Sequence, residues 1–316
     1  MRNASSTLHQ ISRLSVVALA VWASSCASTP PGPTIEPGTA FASPSAAVEA
    51  TVAAIRSEDK AELSRILGVN ANEVLGSGDE VADRNNVREF LRKYDESHRL
   101  VDSSDGSVLL EVGNDNWPMP FPIVKSADGW RLDTASGYEE VIARRIGRNE
   151  LNCIQSCLAI ADAQAEYFAM AADGQSPPAF AARFISEPGT RNGLFWPAGT
   201  GESPSPLGDL AASASAEGYT RASTAEPRPY HGYHFRMLSA QGPFAPGGRM
   251  SYLENGRMVR GFAVIAFPAE YGRSGIMSFM IAKQGVVYEC DLGANTAEIA
   301  RNMTAFNPDQ SWAEAK

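Results

Sequence analysis

The chain has 316 residues, 27 Lys and Arg against 36 Asp and Glu, a formal net charge of −9, and four cysteines. An acidic chain with no basic stripe argues against nucleic acid as a partner and against electrostatic docking on anionic lipid. Its length suffices for two modest domains.

In chain order, Arg2 and Arg13 flank the start of an apolar run from Leu14 to Ala23, followed by Ser24-Ser25-Cys26. A basic start, an apolar core of about ten residues and small residues before a cleavage point make a secretory signal. A bilayer span needs about 20 apolar residues, so this core is too short to be one. Small residues directly before a cysteine are what a lipoprotein signal peptidase requires, so residues 1–25 are expected to be removed and Cys26 to become the acylated N-terminus. The alternative is ordinary cleavage after Ala27, which leaves a soluble secreted or periplasmic protein starting at Ser28. No twin-arginine pair is present in the leader. In a two-membrane cell, Ala27 after the cysteine favours the periplasmic face of the outer membrane. Removing residues 1–25 takes two basic residues and no acidic ones, so the mature charge is 25 − 36 = −11.

Residues 26–43 are rich in proline and small residues, a composition that cannot bury enough area to fold, and are expected to form a disordered tether. An α+β body is expected over residues 44–136. Ser45 is read as the cap of a helix carrying Val48 and Ile55. Further helices are read near Asp59–Leu67 and Val87–Tyr94. The period then changes to two around Val108–Glu111. The stretch Pro118–Lys125 reads as an irregular or edge strand, and Asp128-Gly129 turns into a return strand starting at Trp130.

A second body is expected over residues 137–316. It opens with a long helix to about Ala172, on which Leu151, Ile154, Leu158, Ala161, Ala165 and Phe168 recur at helical spacing and predict the buried stripe. A loop-rich stretch to Pro229 holds short helical segments near Ala179–Ile185 and Leu207–Ala216. Strands follow at His231–Leu238, Met250–Glu254, Gly261–Pro268, Gly275–Ala282 and Val286–Leu292. Asn255-Gly256 is a hairpin turn, and Asn295 with Glu298 is read as the capping box of a last helix.

Few residues suggest chemistry. Cys290 shares a strand face with Val286, Tyr288 and Leu292, so it points toward a core. Cys157 lies beside the helical stripe, and in an oxidising envelope a Cys157–Cys290 disulfide is expected. A Cys153–Cys157 bond inside one helix would be strained, and three buried free thiols are the remaining alternative. His231 and His234 are three apart on a strand and face opposite sides, so they cannot share a metal ion. No cofactor or metal site is expected, and no catalytic residues are assigned. Gly272-Arg273-Ser274-Gly275 is read as a strand-connecting turn, because no helix follows the serine. Trp196, within Phe195-Trp196-Pro197, is read either as a buried loop anchor or as a stacking platform for a glycan. Trp117 is read either as lining the mouth of a pocket in the first body or as rim packing.

The blocks RRIGRNELN, GLFWPA, SPLG, YHGYHFRML, GFAVIAFPAEYGRSGIMSFM, GVVYECDLG and AFNPDQSW resemble a bacterial family known as domain of unknown function 2950. The resemblance implies a secreted or envelope-attached protein and carries over no catalytic residue. The element order of the first body resembles nuclear-transport-factor-like or cystatin-like cones. The helix-loop-meander order of the second is similar to the globular part of type IV pilins and pseudopilins. Here, however, Glu139, Glu140, Arg144 and Arg145 precede the stripe where a pilin has an apolar membrane half.

Together these readings give an envelope-anchored lipoprotein that is a non-enzymatic accessory, assembly or binding protein. Its partners are expected to be the membrane, through the acyl anchor, and other envelope proteins. A ligand-binding protein using a pocket in the first body and an enzyme of unrecognised type are the alternatives. Oligomeric state is not legible.

Overall fold

The computed structural model of the protein describes residues 32–199, 201–219 and 228–316. Cys26 and the expected leader lie outside them. The chain is α+β, built as two bodies joined by one helix.

In the first body, Ser43 caps α1 (Pro44–Arg56): its Oγ accepts from Ala46 N at 3.2 Å, and Pro44 opens the helix where no N–H partner is needed. The cap is Ser43 and not Ser45, because Ser45 turns instead to Glu49. Asp59 caps α2 (Lys60–Leu67) and Asn70 caps α3 (Ala71–Leu75). Asp79 caps α4 (Glu80–Glu96), which begins seven residues before its apolar positions show because its exposed face is charged. The sheet that follows runs β1 (His98–Asp102), β2 (Val108–Val112), β3 (Trp117–Pro118), β4 (Ile123–Ser126) and β5 (Gly129–Leu132), ordered β1-β2-β4-β5 with β3 beside β2. Leu63, Ile66, Val74, Leu110, Phe121 and Ile123 fill the space between helices and sheet.

The tether expectation is corrected for residues 32–43. Glu36 N donates to Gly68 O at 2.9 Å, Thr39 N to Arg65 O at 3.1 Å, and Phe41 exchanges two backbone bonds with Trp130 at 2.7 and 2.8 Å. Composition signalled disorder because proline and glycine bury little area of their own. Here they take partners from a finished surface. Gly68 has φ +70°, and a Cβ there would meet Glu36 O at 1.9 Å, so the strap passes only over glycine.

α5 (Thr134–Ala169) starts three residues inside the range assigned to the first body and is continuous through 36 residues, about 54 Å at 1.5 Å per residue. Its first turn belongs to the first body: a Cβ on Gly137 would meet the Phe121 ring at 2.1 Å. The boundary between bodies therefore falls inside a helix, not at its start.

The chain continues through a loop and α6 (Gly208–Glu217) to β6 (Tyr233–Leu238), β7 (Ala240–Gln241), β8 (Met250–Ser251), β9 (Leu253–Glu254), β10 (Arg257–Met258), β11 (Ala263–Pro268), β12 (Met277–Ala282) and β13 (Val287–Asp291). α7 (Thr296–Asn302), β14 (Ala305–Phe306) and β15 (Ala313–Glu314) complete it. The main sheet is antiparallel, ordered β15-β13-β12-β11-β6. Asn255 and Gly256, with φ of 52° and 80°, form the expected tight turn between β9 and β10. Ala179–Ile185 is not helical: Phe180 bridges to Met258. The capping box of α7 is also not made, since Asn295 contributes no side-chain bond.

β11 is buried on both faces. Val264 and Ala266 meet α5, while Ala263, Ile265 and Phe267 face a second core with Phe306 and Ala300 of α7. A continuous apolar run, not an alternating one, is the signature of such a strand. The helix that covers it is turned by one residue from the predicted stripe. The buried positions are Asn149, Cys153, Cys157, Ile160, Gln164 and Tyr167, whereas Leu151 is 62% exposed. One residue is about 100° of rotation. Hydrophobicity alone chose the wrong line because Gln164 is fully buried. Its amide donates to Ala181 O at 2.8 Å and accepts from Ala181 N at 2.9 Å. Ile154, Leu158 and Ala161 remain as half-buried flanks.

Ile160→Ala is expected to lower unfolding free energy by about 2–4 kcal/mol, and Leu151→Ala by less than about 0.5 kcal/mol. Urea denaturation of the two variants checks the rotation, because the predicted stripe requires the reverse order.

Candidate functional site

Two helices and two turns converge where the bodies meet. Arg145, on the second body's side of α5, is only 5% exposed. Its guanidinium donates to Gly76 O and Leu75 O, each at 2.9 Å. Those carbonyls end α3, so a cation sits at the negative end of a helix. Arg273, from the turn between β11 and β12, reaches the same end, donating to Glu73 O at 2.8 Å and Gly76 O at 3.0 Å. Burial pulls the Arg145 guanidinium below its ordinary value, and Asp83 nearby partly restores it. Burial raises the Asp83 carboxyl, opposed by two hydrogen bonds from Ser77 and by the Arg145 charge.

Asp79 is the second link. Its Oδ1 caps α4 through Val81 N and Ala82 N at 3.1 and 3.0 Å. Its Oδ2 accepts from Tyr219 OH at 2.7 Å and from Gly232 N at 3.1 Å. One buried carboxylate therefore ends a helix of the first body and holds two segments of the second. His231 stands beside it with φ +48°, its Nε2 3.2 Å from Glu217 Oε2 and its ring against Tyr230 and Tyr219. Burial lowers the His231 imidazole below its ordinary value, outweighing the pull of Glu217 and Asp79. The phenol of Tyr219 is raised by burial and by its bond to Asp79.

Asp79 and Asp83 are each engaged by backbone and side-chain donors. The arrangement can hold two bodies in register. It offers no nucleophile with a base behind it. Ser274 is fully buried; its hydroxyl bonds the backbone of Glu270, as in a strand-connecting turn, and its carbonyl accepts from the Asn149 amide at 2.9 Å. His234 lies on β6 against Phe267, away from the Glu217 pairing of His231. Among the described residues no group of three or more His, Cys, Asp or Glu is placed to hold a metal ion.

The Cys157–Cys290 disulfide is not formed: Cys153, Cys157 and Cys290 are all free thiols. Cys157 packs with Phe279, Ile281 and Val287, under α5. Cys290 is paired in register with Ser278 and shares the face of Met280 and Tyr288, on the other side of the sheet. Alternation correctly placed Cys290 in a core, but the sheet has two cores and the helix covers the other one. A bond needs Cα atoms within about 7 Å and side chains pointing together. Burial and the neighbouring Cys157 raise the Cys153 thiol, so Cys153 is not a ready nucleophile.

Both tryptophans pack against other parts of this chain. Trp196 is 4% exposed, edge-on to Tyr167 at 6.4 Å with the Arg191 guanidinium 5.3 Å from its ring. It anchors the loop. Trp117 lies under Arg144 of α5 at 5.0 Å, and Arg144 also donates to Pro118 O at 2.7 Å. It joins the long helix to the first body's sheet. The polar junction itself, with Asp79, Arg145 and Tyr219, was missed by sequence reading. Its partners come from positions up to 200 residues apart, and no local pattern marks them.

A shallow concavity of about 350 Å³ lies between Leu151, Ile154 and Leu158 of α5 and Val286 and Ala315 beside the sheet edge. Glu314 and Lys316 also line it.

Fold and site define a two-body α+β protein whose bodies share a helix and are latched by buried charge. Residues 38–315 match the model of the family described as Protein of unknown function (DUF2950), and the chain belongs to that family. No curated protein and no solved structure matches it, so the likeness to pilins or to cone-shaped folds goes no further than the α+β class.

Tyr219→Phe and Asp79→Asn are each expected to destabilise by about 1–3 kcal/mol. Their double mutant should lose less than the sum, since each removes the same bond. A double-mutant cycle by thermal or urea unfolding measures this. The lowered imidazole means that the unfolded chain binds a proton more readily than the folded one. Stability carried by His231 is therefore full above the ordinary histidine range and is lost as pH falls through about 6.5 toward the folded value. Between pH 7.5 and 5.5 the midpoint of thermal unfolding should fall further in the wild type than in His231→Asn, which tolerates the same backbone and does not titrate. Alkylation under native conditions should modify none of Cys153, Cys157 and Cys290, and all three after denaturation without reductant. A fraction resistant to alkylation would indicate a bridge.

Proposed function

We propose that this protein is an envelope-anchored lipoprotein whose folded part serves as a non-enzymatic binding or assembly module. The observation that carries the reading is the leader, a basic start and a short apolar run ending in Ala23-Ser24-Ser25 directly before Cys26. Stable anchoring takes more than one acyl chain, and a lipidated N-terminal cysteine of this type supplies several. Among the described residues no helix is long and apolar enough to cross a membrane, which leaves the N-terminus as the expected attachment.

A surface-acting module is favoured over a ligand carrier by how the first body is filled. Ile66, Val74, Leu110, Val112 and Ile123, none more than 1% exposed, fill the space between its helices and its sheet. Asp79 spends both carboxylate oxygens on protein donors across the junction, and His231 packs on Tyr219 and Tyr230 beside Glu217, which favours binding over catalysis.

The mature protein should partition into detergent or membranes and show a mass equal to residues 26–316 plus acyl groups, and Cys26→Ser should abolish both. A mature chain starting at Ser28 with no added mass would sink the anchoring reading. Native mass spectrometry of the purified protein should give the protein mass without a retained small molecule. A stoichiometric adduct would restore the ligand-carrier reading.

A further inference from the structure

The strap that replaces the expected tether sets how far the folded part can stand from its anchor. Gly32 already lies against Tyr138 near the start of α5, since a Cβ there would meet the ring at 3.2 Å. Glu36, Thr39 and Phe41 are then bonded to the surface of the first body. Six peptide units separate Cys26 from Gly32. Whatever their conformation, they span at most about 20 Å.

Resting on Cys26 being the acylated residue, we infer that the N-terminal end of α5, with the strap beside it, is held within about 20 Å of the lipid headgroups as the membrane-facing end of the protein. The partner of this end is the bilayer surface, and the attachment is a short covalent leash, not adsorption. Glu139 and Glu140 stand exposed next to Tyr138, and the mature chain carries 25 − 36 = −11 charges, so anionic lipid repels the surface it is leashed to. Nothing electrostatic draws the far end down. Glu166, 27 residues along the same helix, is displaced from Glu139 by about 40 Å. That end is presented away from the bilayer.

The test uses the acylated, mature protein in vesicles of neutral and anionic lipid carrying an acceptor dye. Glu139→Cys and Glu166→Cys, both exposed, are labelled one at a time with a donor. The native internal thiols are buried and stay unlabelled in the folded protein. Transfer is expected to be strong from position 139 and weak from position 166. Anionic lipid should not strengthen it, and it should be lost from position 139 when about twelve Gly and Ser residues are inserted after Ser28, which lengthens the leash without touching the strap. Transfer from 139 no greater than from 166, or insensitive to the insertion, overturns the inference while leaving the anchor intact. Protein that fails to associate with vesicles and has an unmodified N-terminus overturns both, and the mass of the mature chain tells the two failures apart.

Discussion

α5 runs unbroken for 36 residues, and both bodies are assembled against it. Its first turn presses Gly137 onto Phe121 of the first body, its middle buries Arg145 against the end of α3, and its last turns cover the main sheet with Ile160, Gln164 and Tyr167. A buried guanidinium is tolerated there because three carbonyls and a nearby carboxylate receive it. Removing its partners would leave a charge without water or protein to solvate it, and so the position of α3 is bound to the position of the helix. Arg273 and Asp79 add second and third attachments from the sheet side.

Such a junction differs from a catalytic cleft in a way that can be read from its bonds. Catalytic groups keep an open valence toward substrate, whereas Asp79 uses both carboxylate oxygens on protein donors and Arg145 spends its donors on backbone carbonyls. The perturbed imidazole of His231 follows from burial between Tyr219 and Tyr230 beside Glu217. The strap over the first body has the same character. Residues poor in apolar area are ordered by borrowing hydrogen-bond partners from α2 and β5, and they tie the chain's entry to one end of the long helix.

Much of the architecture was legible before folding. Helically spaced apolar residues announced α1 and α2, Asn255-Gly256 announced the β9–β10 hairpin, and the apolar runs announced β6, β11, β12 and β13 within about two residues. What failed did so for a common cause. The stripe on α5 was placed one residue off because periodicity counts apolar atoms and cannot count a buried glutamine paired to a distant loop. The disulfide was assigned because alternation tells which residues share a face but not which core that face meets. α4 was shortened because charged residues continue a helix wherever one face is solvated. Residues 32–43 looked unfoldable because their stability is supplied by other segments.

The sequence by itself determined the α+β class, the family, and the leader-plus-cysteine pattern on which the anchoring proposal stands, since each is a local or compositional property. Only the tertiary structure decided which side of the sheet α5 covers, that the thiols stay apart, that Trp117 and Trp196 are packing residues, and that Asp79, Arg145, Tyr219 and Arg273 meet. Those outcomes rest on contacts between positions as far as 200 residues apart. Pairing at that separation leaves no period, spacing or cap in the chain, and it exists only once the cores have closed.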